Sequence, residues 1–192
     1  MPDVLTIWNF FISEHSAQFW RIFAIIEFAV LAIILILYKM KILMYSSNIK
    51  KDQELFTRLN ALANEDSIRD FLEQLETEDA YNSTTRQKIS SFAIELGKTE
   101  NQYLSKKIEK SKKCFYDKLR LLFDFLAVNF FVHPSIKNRF CLYPNLNVDI
   151  EGSSNEDASK YIGFRNQLDG LVEEARRSFE SHRHIILHKL KI

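Results

Sequence analysis

The sequence predicts an all-α membrane protein with one N-terminal transmembrane helix, followed by a cytosolic helical bundle domain with a long C-terminal helix. First, the stretch from Ile22 to Tyr38 is apolar except for a single charge, Glu27. Second, 4 Gly and 3 Pro among 192 residues disfavour β-rich and disordered chains. Third, apolar residues in the remaining chain recur at the spacing of a helix.

The transmembrane helix is predicted over residues 19–44. A hydrocarbon core of about 30 Å requires about 20 apolar residues in a helix. The run from Phe28 to Tyr38 is apolar on every face, whereas a surface helix of a soluble domain would be amphipathic. We therefore expect an uncleaved membrane anchor, since no basic region precedes it and no small-residue cleavage site follows.

Glu27 is the polar position of this membrane helix. An ionised carboxylate at this depth costs a few kcal/mol, so the group should be neutral, near the interface, or facing another chain. Two interpretations stay open. Glu27 marks a helix–helix contact or pore-facing position, or it lies shallow and has no function.

The flanking charges predict the orientation of the helix. Cytosolic flanks are enriched in Lys and Arg, and four lysines follow the apolar run Ile22–Tyr38 while one arginine precedes it. The N-terminus is therefore predicted outside the cell and residues 45–192 in the cytosol, with the anchor in the inner (plasma) membrane. The residues concerned are Lys39, Lys41, Lys50 and Lys51 after this run and Arg21 before it.

Residues 1–18 form the predicted outside segment. Leu5, Trp8, Phe11 and Ile12 have helical spacing, which favours a short amphipathic helix in the membrane interface. A longer, tilted transmembrane helix with a frayed start is the alternative.

The cytosolic part is predicted to be all-helical. Two stripes have helical spacing, and "DAYNSTT" separates them. Gly97 is expected to kink or end the second helix. The stripes are Ile68, Phe71, Leu72 and Leu75, and then Ile89, Phe92, Ala93 and Leu96.

The apolar stretch from Leu119 to Val132 is predicted to be the most buried helix of the domain. It is too short to span a bilayer and contains Arg120 and Asp124. His133-Pro134 should end it. Beyond it we expect a loop up to Asp157 with a short strand at "RFCLY", and then a final helix from about Ala158 to Leu190.

Charge is segregated along the domain, although Lys plus Arg (26) and Asp plus Glu (25) nearly balance overall. The balance gives no reason to expect double-stranded DNA as a partner. Asp52–Ser83 is acidic and Lys98–Arg120 is basic, so these two segments are predicted to pair within the fold or between protomers. Attraction of the basic segment to an anionic ligand or lipid surface is the alternative.

The C-terminal helix carries the candidate ligand site. Its basic residues lie within an arc of about 140° on a helical wheel, opposite the apolar stripe. Arg forks and Lys charges suit phosphate oxygens, so we predict a phosphate-bearing small ligand or acidic lipid headgroups there. A solvated face without a ligand is the alternative. The candidate residues are Arg176, Arg177, Arg183, His184, His188 and Lys191.

The same helix carries a possible set of metal ligands. Glu180, His184 and His188 repeat at i, i+4 and i+8, a spacing that places three donors on one face. The neighbouring Arg177 and Arg183 disfavour a cation, so no metal and no cofactor is predicted. The two cysteines, Cys114 and Cys141, are too few for a metal cage or a disulfide framework.

The segment "RSFESH" resembles the R-x4-H motif of HEPN-type ribonucleases. The resemblance covers six residues, Arg177 to His182, and Ser178 stands where that family often has Asn or Asp. It implies a dimer with Arg177 and His182 gathered at the interface. His182 also falls on the apolar side of the wheel, where a packed histidine is expected.

Other catalytic motifs, such as a P-loop, G-x-S-x-G or H-E-x-x-H, are absent from the sequence, and no catalytic residue is predicted. We expect a non-enzymatic membrane sensor or effector, forming homo-oligomers and binding an anionic signal or a protein partner. The layout resembles small membrane-anchored effectors of bacterial antiviral and second-messenger systems. A tethered HEPN-like ribonuclease and a passive membrane scaffold are the alternatives.

Overall fold

The computed structural model describes residues 14–133, 135–142 and 154–192. Helices make up 82% of this part, which confirms the all-α class with a long apolar first helix and a long last helix. The chain divides into two compact units, the first ending at Ser47 and the second running from Asn48 to Ile192. The elements are α1 (Glu14–Leu62), α2 (Glu65–Glu78), β1 (Ala80–Asn82), α3 (Ser83–Gly97), α4 (Lys106–Asn129), β2 (Phe130–Val132), β3 (Arg139–Leu142) and α5 (Asn155–Leu190).

Helix α1 has 49 residues and contains neither Gly nor Pro. Its large apolar side chains from Phe19 to Tyr45 are 44% to 76% exposed. The helix is long and apolar enough to cross a membrane, and none of its most apolar stretch is buried within this chain. Most of the predicted outside segment, including the proposed interfacial helix, lies outside the described residues.

The core of the second unit is built on α4 and α5, which pack against each other along their apolar stripes. On α4, Ile108, Phe115 and Leu119 have no exposed surface. Leu59, near the end of α1, and the predicted stripes of α2 and α3 complete this core. Burial of all eight predicted stripe residues confirms the helical periodicity of these two segments.

A small antiparallel sheet lies in the same unit, with strand order β1-β3-β2. The strand predicted at "RFCLY" is confirmed as β3, whereas β1 and β2 were not predicted. The Tyr81 ring lies with its centroid 5.2 Å from Phe130 and 5.3 Å from Phe140, one from each of the other strands. Stacked aromatic rings therefore cross all three strands.

The helix predicted to run to Val132 ends earlier, at Asn129. Phe130–Val132 is extended because it pairs with β3, with Phe130 opposite Leu142. Aromatic and β-branched residues suit such a half-buried strand. His133-Pro134 is therefore not what stops the helix.

Two other boundaries are set by local contacts. Gly97 ends α3, where a side chain would meet the Tyr116 ring at 2.7 Å. Helix α5 begins at Asn155, three residues before the predicted start, because the Ser154 hydroxyl accepts a hydrogen bond from the Asp157 amide at 3.1 Å.

Candidate functional site

Arg176 and Arg177 of the predicted basic face both contact carboxylates. Arg176 forms a two-pronged pair with Glu76 of α2, with one nitrogen–oxygen distance of 3.2 Å, and this contact holds the pKa of Glu76 below its usual range. The more exposed Arg177 pairs with Glu173 one turn earlier. The groove of about 350 Å³ beside Arg176 is also lined by Glu73, Glu76 and Arg69, so its charge is mixed rather than positive.

Arg183 ties three helices together. Its Nε lies 2.9 Å from Glu65 Oε2 of α2, and its Nη1 donates to Asn60 Oδ1 of α1 at 3.3 Å. The guanidinium carbon also lies 5.0 Å from the centre of the Phe56 ring. An anionic ligand would have to displace Glu65 to reach this side chain.

The remaining predicted residues, His184, His188 and Lys191, are exposed at the C-terminal end of α5. The helical wheel grouped all six residues, but the structure separates them into three sets. Arg176 and Arg183 face α2, and the exposed Arg177 pairs with Glu173 of its own helix. The other three lie exposed near the C-terminal end of α5.

The ion pairs of the acidic segment within one chain differ from the predicted ones, while its pairing between protomers stays a prediction. Among the described residues its interhelical ion pairs are with α5, including Arg69 to Glu180 as well as Glu76 to Arg176. Lys118 of the basic segment also pairs with α5, at 2.7 Å from Glu174. The two oppositely charged segments are thus linked through the last helix rather than by ion pairs with each other.

Three hydrogen bonds bring distant segments together at one end of the domain. The carboxylate of Asp52 on α1 accepts the backbone amides of Leu104 and Ser105 at 2.7 and 3.0 Å, just before α4. Gln53 donates to the carbonyl of Leu190, the last residue of α5, at 2.9 Å. The start of α4 and the end of α5 therefore both lie beside residues 52 and 53.

This convergence gathers lysines from three parts of the sequence, and we name the set the basic end. All but one of its members are classed as exposed, Lys189 being partly covered. None of these lysines forms an ion pair with a described residue. The basic end consists of Lys50, Lys51, Lys106, Lys107, Lys110, Lys189 and Lys191.

The position of the lysines on α4 opposes a local preference of helices. Lys106 and Lys107 are its first two residues, where the helix dipole favours anions. The neighbouring carboxylates have other partners, since Asp52 binds the two amides and Glu109 lies 3.0 Å from the buried Lys112. A residue choice that costs local stability is typical of a functional surface.

The ribonuclease-like motif is not assembled within the chain. The side chain of Arg177 is 78% exposed, whereas His182 is 5% exposed and stacks on Phe115. His182 Nδ1 lies 2.9 Å from Ser111 Oγ, and burial lowers the pKa of the imidazole to about 4. His182 is therefore a neutral core histidine, as its position on the wheel indicated.

Glu27 is exposed on the apolar part of α1 and has no side-chain partner in the described part of the chain. No group of three or more His, Cys, Asp or Glu side chains suited to a metal is found among the described residues. Glu180, the first of the three residues with metal-ligand spacing, lies 3.7 Å from Arg69.

Sequence reasoning identified the α4 lysines as part of a basic segment but missed the basic end. Helical spacing shows which residues share a face of one helix, and not which helix ends meet in space. Comparisons with protein-family models, with curated proteins and with solved structures found no match. The functional proposal therefore rests on these residues themselves.

Proposed function

We propose that this protein is a non-enzymatic, single-pass membrane sensor or effector that acts by assembling its membrane helices. Its N-terminus lies outside the plasma membrane, and its helical domain binds an anionic signal or a protein partner in the cytosol. The observation that carries the proposal is the exposed apolar surface of α1, which requires lipid or other copies of the helix to cover it.

The contrast between the two units supports membrane insertion. In the second unit, the apolar stripes of α4 and α5 are buried by partners from the same chain. In α1, side chains such as Phe28 (76% exposed) and Leu35 (66% exposed) have no such cover. A soluble monomer rarely exposes so large a contiguous apolar surface.

Glu27 supports assembly of the membrane helices. A carboxyl group in lipid is stabilised when it faces another helix or a water-filled space. Several copies of α1 side by side would provide either environment. Assembly of this kind fits the resemblance of the layout to small membrane-anchored effectors of bacterial antiviral systems.

Oligomer mass in detergent tests this proposal. The full chain is purified in mild detergent, its protein mass is measured by light scattering, and crosslinking in native membranes provides a second measurement. We expect a defined oligomer that Glu27→Leu weakens and that the matched neighbour substitution Ile26→Leu leaves intact. A monomer in both measurements would refute assembly and leave the passive scaffold, whose partner should then be mislocalised when residues 1–44 are deleted.

A further inference from the structure

We propose that the basic end is a docking surface for the anionic lipid headgroups of the membrane in which the protein is anchored. This inference rests on the proposed membrane span and is independent of the proposed assembly. It assigns a partner to lysines that form no ion pair with a described residue.

The closeness in sequence of the predicted span and the first two lysines supports a lipid partner. The predicted span ends at Met44, and Lys50 and Lys51 follow six and seven residues later. Basic residues this soon after a membrane span are attracted by the negative potential of anionic lipids.

The lysines of α4 and α5 are held beside the same part of α1. The Asp52 carboxylate binds the backbone directly before Lys106, and Gln53 binds the carbonyl between Lys189 and Lys191. Asp52 and Gln53, which make these hydrogen bonds, are the next two residues after Lys51. The fold thus adds charge from two distant helices to a juxtamembrane Lys-Lys pair, and a cluster of four to eight bases at this position is typical of binding to anionic lipids.

Docking to anionic lipid explains why α4 begins with two lysines. Lys106 and Lys107 oppose the helix dipole when the protein is considered alone. An anionic surface facing that helix end interacts favourably with both the lysines and the free amides of the first turn. Docking therefore offsets the unfavourable interaction of Lys106 and Lys107 with the helix dipole by their favourable interaction with the anionic surface.

Lysine acylation rates measure the docking directly. The full chain is placed in nanodiscs of phosphatidylcholine alone or with about 30% phosphatidylserine, and each lysine is followed by mass spectrometry. We expect Lys106, Lys107 and Lys110 to react several-fold more slowly in anionic discs, with the protection lost at high salt. Lys137 and Lys160 should react alike in both discs.

Equal rates at the basic end in both discs would overturn the proposal. A third sample, neutral discs with inositol hexaphosphate, separates lipid from a soluble anion. Protection by the soluble anion and not by anionic lipid would also overturn it. Protection by anionic lipid in a chain that is monomeric in detergent would support docking while refuting assembly.

A variant with a matched control gives a second measurement. A dye on the exposed Cys114 reports energy transfer to labelled headgroups, since Cys141 is buried. The change K106Q/K107Q should remove the increase in transfer caused by anionic lipid, because each lysine near such a surface contributes about fivefold to the equilibrium. K137Q/K160Q removes the same charge elsewhere and should retain the increase, and loss in both variants would argue against a specific surface.

Discussion

Two apolar stretches of this chain differ in whether other residues of the chain bury them. Residues 19–45 of α1 expose every large apolar side chain, whereas Leu119, Leu122 and Leu126 of α4 have no exposed surface. The difference follows from pattern rather than from hydrophobicity. Around Leu119–Val132 the charges of Arg120 and Asp124 define a solvent face, while the stretch of α1 from Phe28 to Tyr38 has no polar face that water could cover.

The largest expected effect comes from removing one phenylalanine from each region. Phe115 is fully buried, and its ring centroid lies 5.3 Å from that of Phe179, so Phe115→Ala should lower the free energy of unfolding of the domain by about 3–5 kcal/mol. Phe28→Ala should change it by less than about 0.5 kcal/mol. Denaturant unfolding of the full chain in detergent measures both, and similar losses would mean that Phe28 is also packed.

An arginine introduced into each apolar stretch tests whether that stretch is inserted in the membrane. Leu31→Arg puts a cation near the middle of the predicted span and should cost about 3 kcal/mol of insertion. Leu121→Arg, on the exposed side of α4, should leave membrane attachment unchanged. Fractionation of membranes without detergent gives the answer, and equal attachment of both variants would contradict a spanning α1.

The buried histidine makes the stability of the domain depend on pH. Burial holds the pKa of His182 at about 4, below its unfolded value of about 6.5, so the folded state favours the neutral ring. Its contribution is present above pH of about 6.5 and is lost as the pH falls toward 4, amounting to about 3 kcal/mol. His182→Asn should flatten this part of the stability–pH curve, whereas an unchanged slope would assign it to carboxyl groups.

The smallest expected effect concerns the ion pairs on the domain surface. Arg176→Gln removes the two-pronged contact with Glu76 and should cost about 0.5–1 kcal/mol. Arg177→Gln removes a more exposed pair with Glu173 and should cost less than about 0.5 kcal/mol. A double-mutant cycle with Glu76→Gln isolates the first pair, and a coupling energy of zero would show that Arg176 is free to bind other anions.

Local periodicity was enough to predict α2, α3 and the apolar side of α5. In each case the buried residues recur at three- and four-residue spacing, as Ile68, Phe71 and Leu72 do. Strand β2 was missed because Phe130–Val132 continues an apolar helical run. Its extended form depends on pairing with β3, a contact that no local pattern contains.

The candidate site was predicted less completely than the fold. The wheel put Arg176 and Arg183 on one side of α5, but it contains no information on the carboxylates of α2 that face them. The basic end depends on two long-range contacts: Asp52 and Leu104 are 52 positions apart in sequence, and Gln53 and Leu190 are 137 positions apart. Such contacts are set by the packing of whole helices.

The hydrogen bond from Gln53 to Leu190 places the last residue of α5 beside the first residues of the second unit. A reporter fused after Ile192 would therefore be attached next to the residues with which this unit begins. The emission of a fluorescent protein attached there would report on the surroundings of the basic end. A large fusion partner would compete sterically with the binding partner of the basic end.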